Sequence, residues 1–118
     1  MKIIIAGGRD FDDTQLMEEV IDRLHDEGKI DSYPEIVCGE ARGADRLGRK
    51  IAEWQNWPIH SFPAEWDKYG KSAGYRRNVD MGNFADVAII FWDGRSKGTK
   101  HMIDTMNNLN KPVFIQHY

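Results

Sequence analysis

The stretch VAIIFW, Val87–Trp92, decides the fold. It is apolar throughout, with no polar alternation, so neither face of a strand built from it can meet water. A strand covered on both faces points to a parallel sheet with helices packed above and below it. Working outward, KIIIAGG (Lys2–Gly8), EIVCG (Glu35–Gly39), PIHSFP (Pro58–Pro63) and KPVFIQ (Lys111–Gln116) read as four further strands, the third the weakest. Helical patterns fill the gaps. Leu16, Met17, Val20, Ile21 and Leu24 share one face, with Asp12 or Asp13 able to cap the helix and Gly28 to close it. Ala44, Leu47, Ile51 and Ala52 recur at helical spacing, and another helix is predicted near Tyr75–Phe84. The last runs from about Lys97 to Asn108, with Met102, Ile103, Met106 and Leu109 on its apolar side.

Strands alternating with helices predict an α/β fold: one Rossmann-like domain over residues 1–118, its five parallel strands in the order 3-2-1-4-5, with helices on both faces. There is no internal repeat, low-complexity tract or linker. The longest irregular stretch is PAEWDKYGKSAG, Pro63–Gly74. Loops of this length in a compact domain tend to be functional or mobile, and a plain surface excursion is the alternative. Trp66 and Tyr69 on it could form a lid.

Composition narrows the classes. A chain of 118 residues, 41% hydrophobic and 30% charged, can bury a core without metal or disulfide. No apolar run approaches the roughly 18 residues that span a bilayer, so no membrane partner is expected. The start, MKIIIAGGRD, does not read as a signal peptide. One cysteine excludes an internal disulfide, and a cytoplasmic location is expected. A net charge of -3 argues against the nucleic-acid backbone as main partner, leaving a local basic patch open.

In the predicted order the chain reverses direction between the first and fourth strands. Ligands of open α/β sheets bind in the crevice at such a point, beyond the carboxyl ends of the strands. Three glycine-bearing loops converge there: AGGRDFDD, CGEARGAD and WDGRSKGT. Gly7, Gly8, Gly39, Gly43, Gly94 and Gly98 would let backbone amides approach an anionic group, beside Ser96 and Thr99. Arg9, Arg42 and Arg95 add charge, and Asp10, Phe11 and Asp93 flank the loops. The plain alternative is that the glycines only make tight turns.

IAGGRDFDD, VCGEARGADRLGRKIAE, GYRRNVDM and AIIFWDGRSKGTKHMI resemble, in that order, the motifs of the SLOG superfamily, most closely its YspA-like branch. The resemblance covers nearly the whole chain. It implies a Rossmann-like fold binding a nucleotide or nucleotide-derived ligand such as an ADP-ribose-like molecule, with no resident cofactor or metal, and a homo-oligomer is expected. A related group, the cytokinin-activating phosphoribohydrolases, carries a proline-glycine-glycine, glycine-threonine, two-residue, glutamate motif and an arginine on the preceding helix. Here DGRSKGTKHM keeps Gly94, Gly98 and Thr99, but Met102 stands where the catalytic glutamate is expected. The resemblance therefore implies binding without hydrolysis. Met102 also fits the apolar face of its helix, as a core residue with no history of catalysis. GYRRN supplies Arg76, Arg77 and Asn78 as ligand candidates, although an Arg76–Asp80 helical ion pair would explain one arginine without function.

An enzymatic alternative keeps Glu40 or Asp45 as the acid of a nucleotide N-glycosidase or deoxyribosyltransferase. Structural roles compete with it: Asp45 is placed to cap its helix, and Glu40 to pair with Arg42. Single-strand DNA binding is a further alternative, because VCGEARGAD is also similar to a loop of the DNA-processing protein DprA. Among the remaining candidates, His25, His60, His101 and His117 are dispersed without metal-ligand spacing. Cys38, ending a buried strand, reads as an inert thiol. Trp54 and Trp57 read as packing residues, and Trp92 as a possible stacking surface for a base.

Overall fold

β-branched residues dominate Lys2–Gly7 and Val87–Trp92, and these segments form the middle of the sheet. The computed structural model describes residues 1–118 and contains β1 (Lys2–Gly7), α1 (Thr14–Asp26), β2 (Glu35–Cys38), α2 (Ala44–Gln55), β3 (Ile59–Ser61), α3 (Trp66–Tyr69), α4 (Ala73–Phe84), β4 (Val87–Trp92), α5 (Lys97–Asn108) and β5 (Val113–His117). All strands are parallel, in the order β3-β2-β1-β4-β5, as predicted. In the central pair Ile3 faces Val87 and Gly7 faces Phe91. The Lys2 amide donates to Asp86 Oδ2 at 2.8 Å, pinning that register.

The two cores explain why VAIIFW shows no alternation. Val87, Ile89 and Phe91 point into one cluster, with Ile3, Ile5 and Ile36 and with Met17, Val20 and Leu24 of α1 and Ile51 of α2. Ala88 and Ile90 point into the other, with Ile4, Val37, Met81 of α4 and Met102, Ile103 and Met106 of α5. Gly48 lets α2 lie against β1, since a methyl there would meet Ile5 Cγ2 at 2.6 Å.

Helix ends resolve the open choices. Asp13, not Asp12, caps α1, its Oδ1 accepting from the Leu16 amide at 3.0 Å. The Lys111 ammonium donates to the Gly82, Asn83 and Ala85 carbonyls at 2.8, 3.1 and 2.7 Å, satisfying acceptors that the end of α4 leaves free. The segment predicted to be irregular is partly ordered: α3 and a 3-10 turn, Gly70–Ser72, lead directly into α4, which begins at Ala73 rather than Tyr75. Trp54, expected to pack, is 80% exposed, because its position on α2 faces away from the sheet; Trp57 does pack against the first cluster.

Candidate functional site

The loops that follow β1, β2 and β4 meet above the carboxyl ends of those strands. Contact between the first two is direct. The Ala44 amide, opening α2, donates to the Gly8 carbonyl at 3.2 Å, and Gly43 lies so close that any side chain would overlap Gly8 and Arg9. Gly43 also has φ +84°, which only glycine adopts without strain. Glu40 takes the left-handed conformation as well, at φ 64°. A non-glycine residue held there is uncommon and has to be stabilised by its surroundings. Its carboxylate supplies that anchor, accepting from Ser61 Oγ at 2.7 Å and Cys38 Sγ at 3.2 Å and pairing with Arg49. Arg42, the expected partner, is not involved. Burial would raise the Glu40 pKa, but the Ser61 and Cys38 hydrogen bonds and the charges of Arg49 and Arg46 hold it below the usual range. Cys38 is buried and pushed up to about 12 by desolvation, the inert thiol expected.

α4 closes the opposite side of the crevice. Arg77 Nη1 donates to the Gly39 carbonyl of the second loop. Its neighbour Asn78 donates through Nδ2 to the Gly98 carbonyl of the third at 3.2 Å. Adjacent residues on one helix therefore tie down two loops that are distant in sequence. Arg77 Nε also donates to Asn78 Oδ1 at 3.1 Å, orienting both side chains.

Asp45 sits at the bottom of this arrangement, 5% exposed. It is not the cap of α2; Gly43 occupies that position, and the Asp45 carboxylate turns back to accept from the Ala41 amide at 3.4 Å. Burial pushes its pKa up to about 6, against the lowering influence of the nearby Arg77 charge and of the Ala41 and Gly7 amides. A carboxyl that titrates near neutrality inside a cleft is an uncommon and chemically useful group.

The main cleft has a volume of about 240 Å³. Ala6, Gly7, Arg9, Ala41 and Asp45 form one side and Ser96, Gly98, Thr99 and Met102 another. Trp66, Lys71, Gly74, Tyr75, Arg77, Asn78 and Met81 form the third. A second pocket of about 650 Å³ adjoins it, lined by Gly39, Glu40, Arg42, Arg46, Pro63 and Ala64, and shares Arg9, Ala41, Trp66 and Arg77 with the first. Gly8, Asp10 and Asp93 line a side groove beside Arg9 and Arg42.

Several candidates lie elsewhere. Phe11 is a core residue, its ring 4.6 Å from that of Phe91. Arg76 makes no ion pair with Asp80; its Nε donates to Ser72 Oγ at 3.1 Å and its guanidinium lies over the Tyr69 ring, outside the cleft. Tyr69 is therefore occupied as well, and only Trp66 of the expected lid reaches the cleft. Trp92 is half-buried and donates from Nε1 to the Ser96 carbonyl at 3.1 Å, bracing the third loop from behind. Gly94 makes that loop's turn at φ +83°. Met102 is 1% exposed in the core beneath the cleft.

Several amides of these loops are already engaged within the protein. Gly8 donates to the Phe91 carbonyl at 3.1 Å. Asp93 Oδ1 accepts from the Arg95 and Ser96 amides at 2.8 and 2.9 Å, and Ser96 Oγ from the Thr99 amide at 3.4 Å. Side chains carry the positive charge of the crevice instead. The sequence reading did not include Lys71, Gly74, Tyr75 or Met81 among the ligand candidates. With Asn78 they repeat at helical spacing along one face, a signal visible once α4 and the turn before it are read as continuous.

The family model described as YspA, cpYpsA-related SLOG family matches residues 1–69, which include the first two loops and α3. The Gene 61 protein of Mycobacterium phage D29 is 33% identical over 121 residues, an alignment covering 95% of this chain and 93% of that protein. No solved structure matches the chain. With the fold, the loop positions and both similarities in agreement, the chain belongs to the YspA, cpYpsA-related SLOG family, a membership that points to a nucleotide-related role.

Proposed function

We propose that this protein binds a nucleotide or nucleotide-derived ligand in the crevice above β1, β2 and β4, as a sensor, carrier or sequestering protein, without hydrolysing it. The observation that carries this reading is the division of chemistry within one cleft. Arg9, Lys71 and Arg77 supply cations beside the Ser96 and Thr99 hydroxyls, and Trp66 and Tyr75 supply an apolar wall above a floor backed by the buried Met81 and Met102. A phosphate matches the first set and a base the second. Tyr75 is steadied by the His101 ring, 4.5 Å away, whose Nδ1 lies 3.2 Å from Asn78 Nδ2. Burial keeps the His101 pKa low, so that contact is with a neutral imidazole.

The test is calorimetric titration with nucleoside monophosphates and with the matching nucleosides. Binding of the phosphorylated forms at least tenfold tighter is expected, and no affinity below millimolar for any of them would count decisively against the reading. N-glycosidic cleavage is the second reading, favoured by Asp45, whose buried carboxyl lines the cleft and is protonated near pH 6. Glu40 fits that role less well, since its charged carboxylate is already committed to Ser61, Cys38 and Arg49. Chromatography for released base separates the two.

A further inference from the structure

We infer that the outer edge of β5 is the contact surface of a symmetric dimer, in which two copies of the chain pair their β5 strands antiparallel about a twofold axis through Ile115. No residue of this edge lines the crevice, and the homo-oligomer expected from the sequence had no interface assigned to it. The two edges of the sheet differ in kind. β3 is blunted in ways that natural sheets use: it has three residues, ends in His60 and Ser61, and lies between Pro58 and Pro63. β5 has none of these protections. Val113–His117 contains no Asp, Glu, Lys, Arg or Pro, and its register with β4 runs unbroken from Ala88–Val113 to Trp92–His117. None of its residues is buried, although Val, Phe and Ile lead it, and Ile115 at its midpoint is 40% exposed.

Backbone direction decides which residues can pair. The Pro112 carbonyl accepts from the Ala88 amide and the Tyr118 amide donates to the Trp92 carbonyl, so the even-numbered residues turn toward β4. That direction alternates along a strand, and Val113, Ile115 and His117 therefore turn their N–H and C=O groups outward. Of these groups only the His117 carbonyl has a protein partner, Gln116 Nε2 at 2.9 Å. Among registers that set outward groups opposite one another, an axis at Ile115 is the one that pairs every residue of β5. Ile115 then faces its own copy and Val113 faces His117, in the pairs that exchange two hydrogen bonds each. Phe114 lies opposite Gln116, and Pro112 opposite Tyr118, at positions that need no N–H on this side. The side chains agree with that pairing. Tyr118 is held by Asp10 Oδ1 at 2.6 Å and by the Phe11 ring at 4.9 Å, yet is still 41% exposed, free to stack on Pro112 of the partner subunit. No like charges meet across the axis, and the neighbouring Lys111 ammonium is already engaged at the end of α4. An interface that maps onto itself in this way closes as a pair.

Interfaces smaller than about 1,200 Å² form reversible complexes, and a ladder of this length with a few side-chain contacts belongs to that class. Sedimentation velocity of the full chain from about 1 to 200 μM covers the range in which such a dimer forms. The wild type should rise from 13.6 kDa toward twice that mass and stop there. Ile115→Lys, which sets two ammonium groups against each other across the axis, should stay monomeric with an unchanged circular dichroism melt. In the wild type, amide exchange at Val113, Ile115 and His117 should slow severalfold from the lowest to the highest concentration, while Phe114 and Gln116, bonded to β4, should not change. A wild type that stays monomeric throughout overturns the inference. So does a mass that climbs past the dimer, or a dimer that survives Ile115→Lys without slowing those three amides. Should Ile115→Lys fail to fold, the amide pattern of the wild type decides alone.

Discussion

Gly8 and Gly98 look interchangeable in the sequence, and the folded chain separates them. Around Gly98 there is open cleft, with nothing within 4 Å of an added methyl. A methyl at Gly8 would overlap the Tyr118 hydroxyl, which donates to Asp10 Oδ1 at 2.6 Å. Gly98→Val is therefore expected to leave the melting temperature within a few degrees and abolish nucleotide binding, whereas Gly8→Val should cost roughly 1–3 kcal/mol by displacing Tyr118. A normal titration for Gly98→Val would show that the ligand does not enter there. Asp45 makes a different kind of prediction. Its pKa rises from 3.8 to about 6 on folding, so between those values the native state keeps a proton that the unfolded chain has released. Stability contributed by this group is then lost as pH rises through that window, by about 3 kcal/mol at most. Asp45→Asn should melt like the wild type at pH 4 and become the more stable of the two above pH 6. Equal melting at pH 7.5 would mean that Arg77 fully offsets the buried charge. Neither contrast was legible from residue types: GGRD and KGT both read as ligand loops, and an aspartate in a first turn reads as a cap until its burial is seen.

Among the elements, α4 differs most from its sequence reading. It begins two residues before the expected Tyr75, and the pairing of Arg77 with Gly39 and of Asn78 with Gly98 depends on tertiary neighbours that no local pattern encodes. The helix acts as a clamp on two loops. Arg77→Lys keeps the charge but loses the fork that reaches Gly39 and Asn78 together. Amide hydrogen exchange across residues 39–43 should accelerate about tenfold in that variant, and exchange in β1 should not change. Protection equal to the wild type would assign loop order to the Glu40 anchor instead. α5, by contrast, was read correctly from Lys97 to Asn108, since Met102, Ile103 and Met106 sit at helical spacing and pack where that spacing sends them. Met102→Glu should accordingly destabilise by roughly 3 kcal/mol or more through a buried, unpaired carboxylate. Chemical denaturation measures this directly, and a stable variant that released base from a nucleotide would favour a vestigial catalytic position over the core reading.

For the molecule as a whole, strand order was the most legible property, because alternating apolar strands and amphipathic helices leave few arrangements once crossovers are right-handed. A cleft does lie at the reversal between β1 and β4, where the strand order leads one to expect it; of the arginines that the sequence offers beside the glycine amides, Arg9 and Arg77 line it, and Gly8 has its amide already engaged. Residue type shows that an amide can approach, not that Phe91, Asp93 or Ser96 has already taken it. The central pairing has a consequence of its own, in time. Ile3 meets Val87 only after all of α1, β2, α2, β3, α3 and α4 have been looped out between them. Such a closure spends chain entropy before it returns any contact energy, so the β1–β4 pair is the natural bottleneck on the route to the native state. Stopped-flow refolding of Ile89→Val should be slowed by most of the stability it loses. Ile103→Val, on a helix docked outside that pair, should instead speed unfolding and leave the refolding rate almost untouched. The two strands that pair at the middle of the sheet would then also set the clock for the rest of the chain.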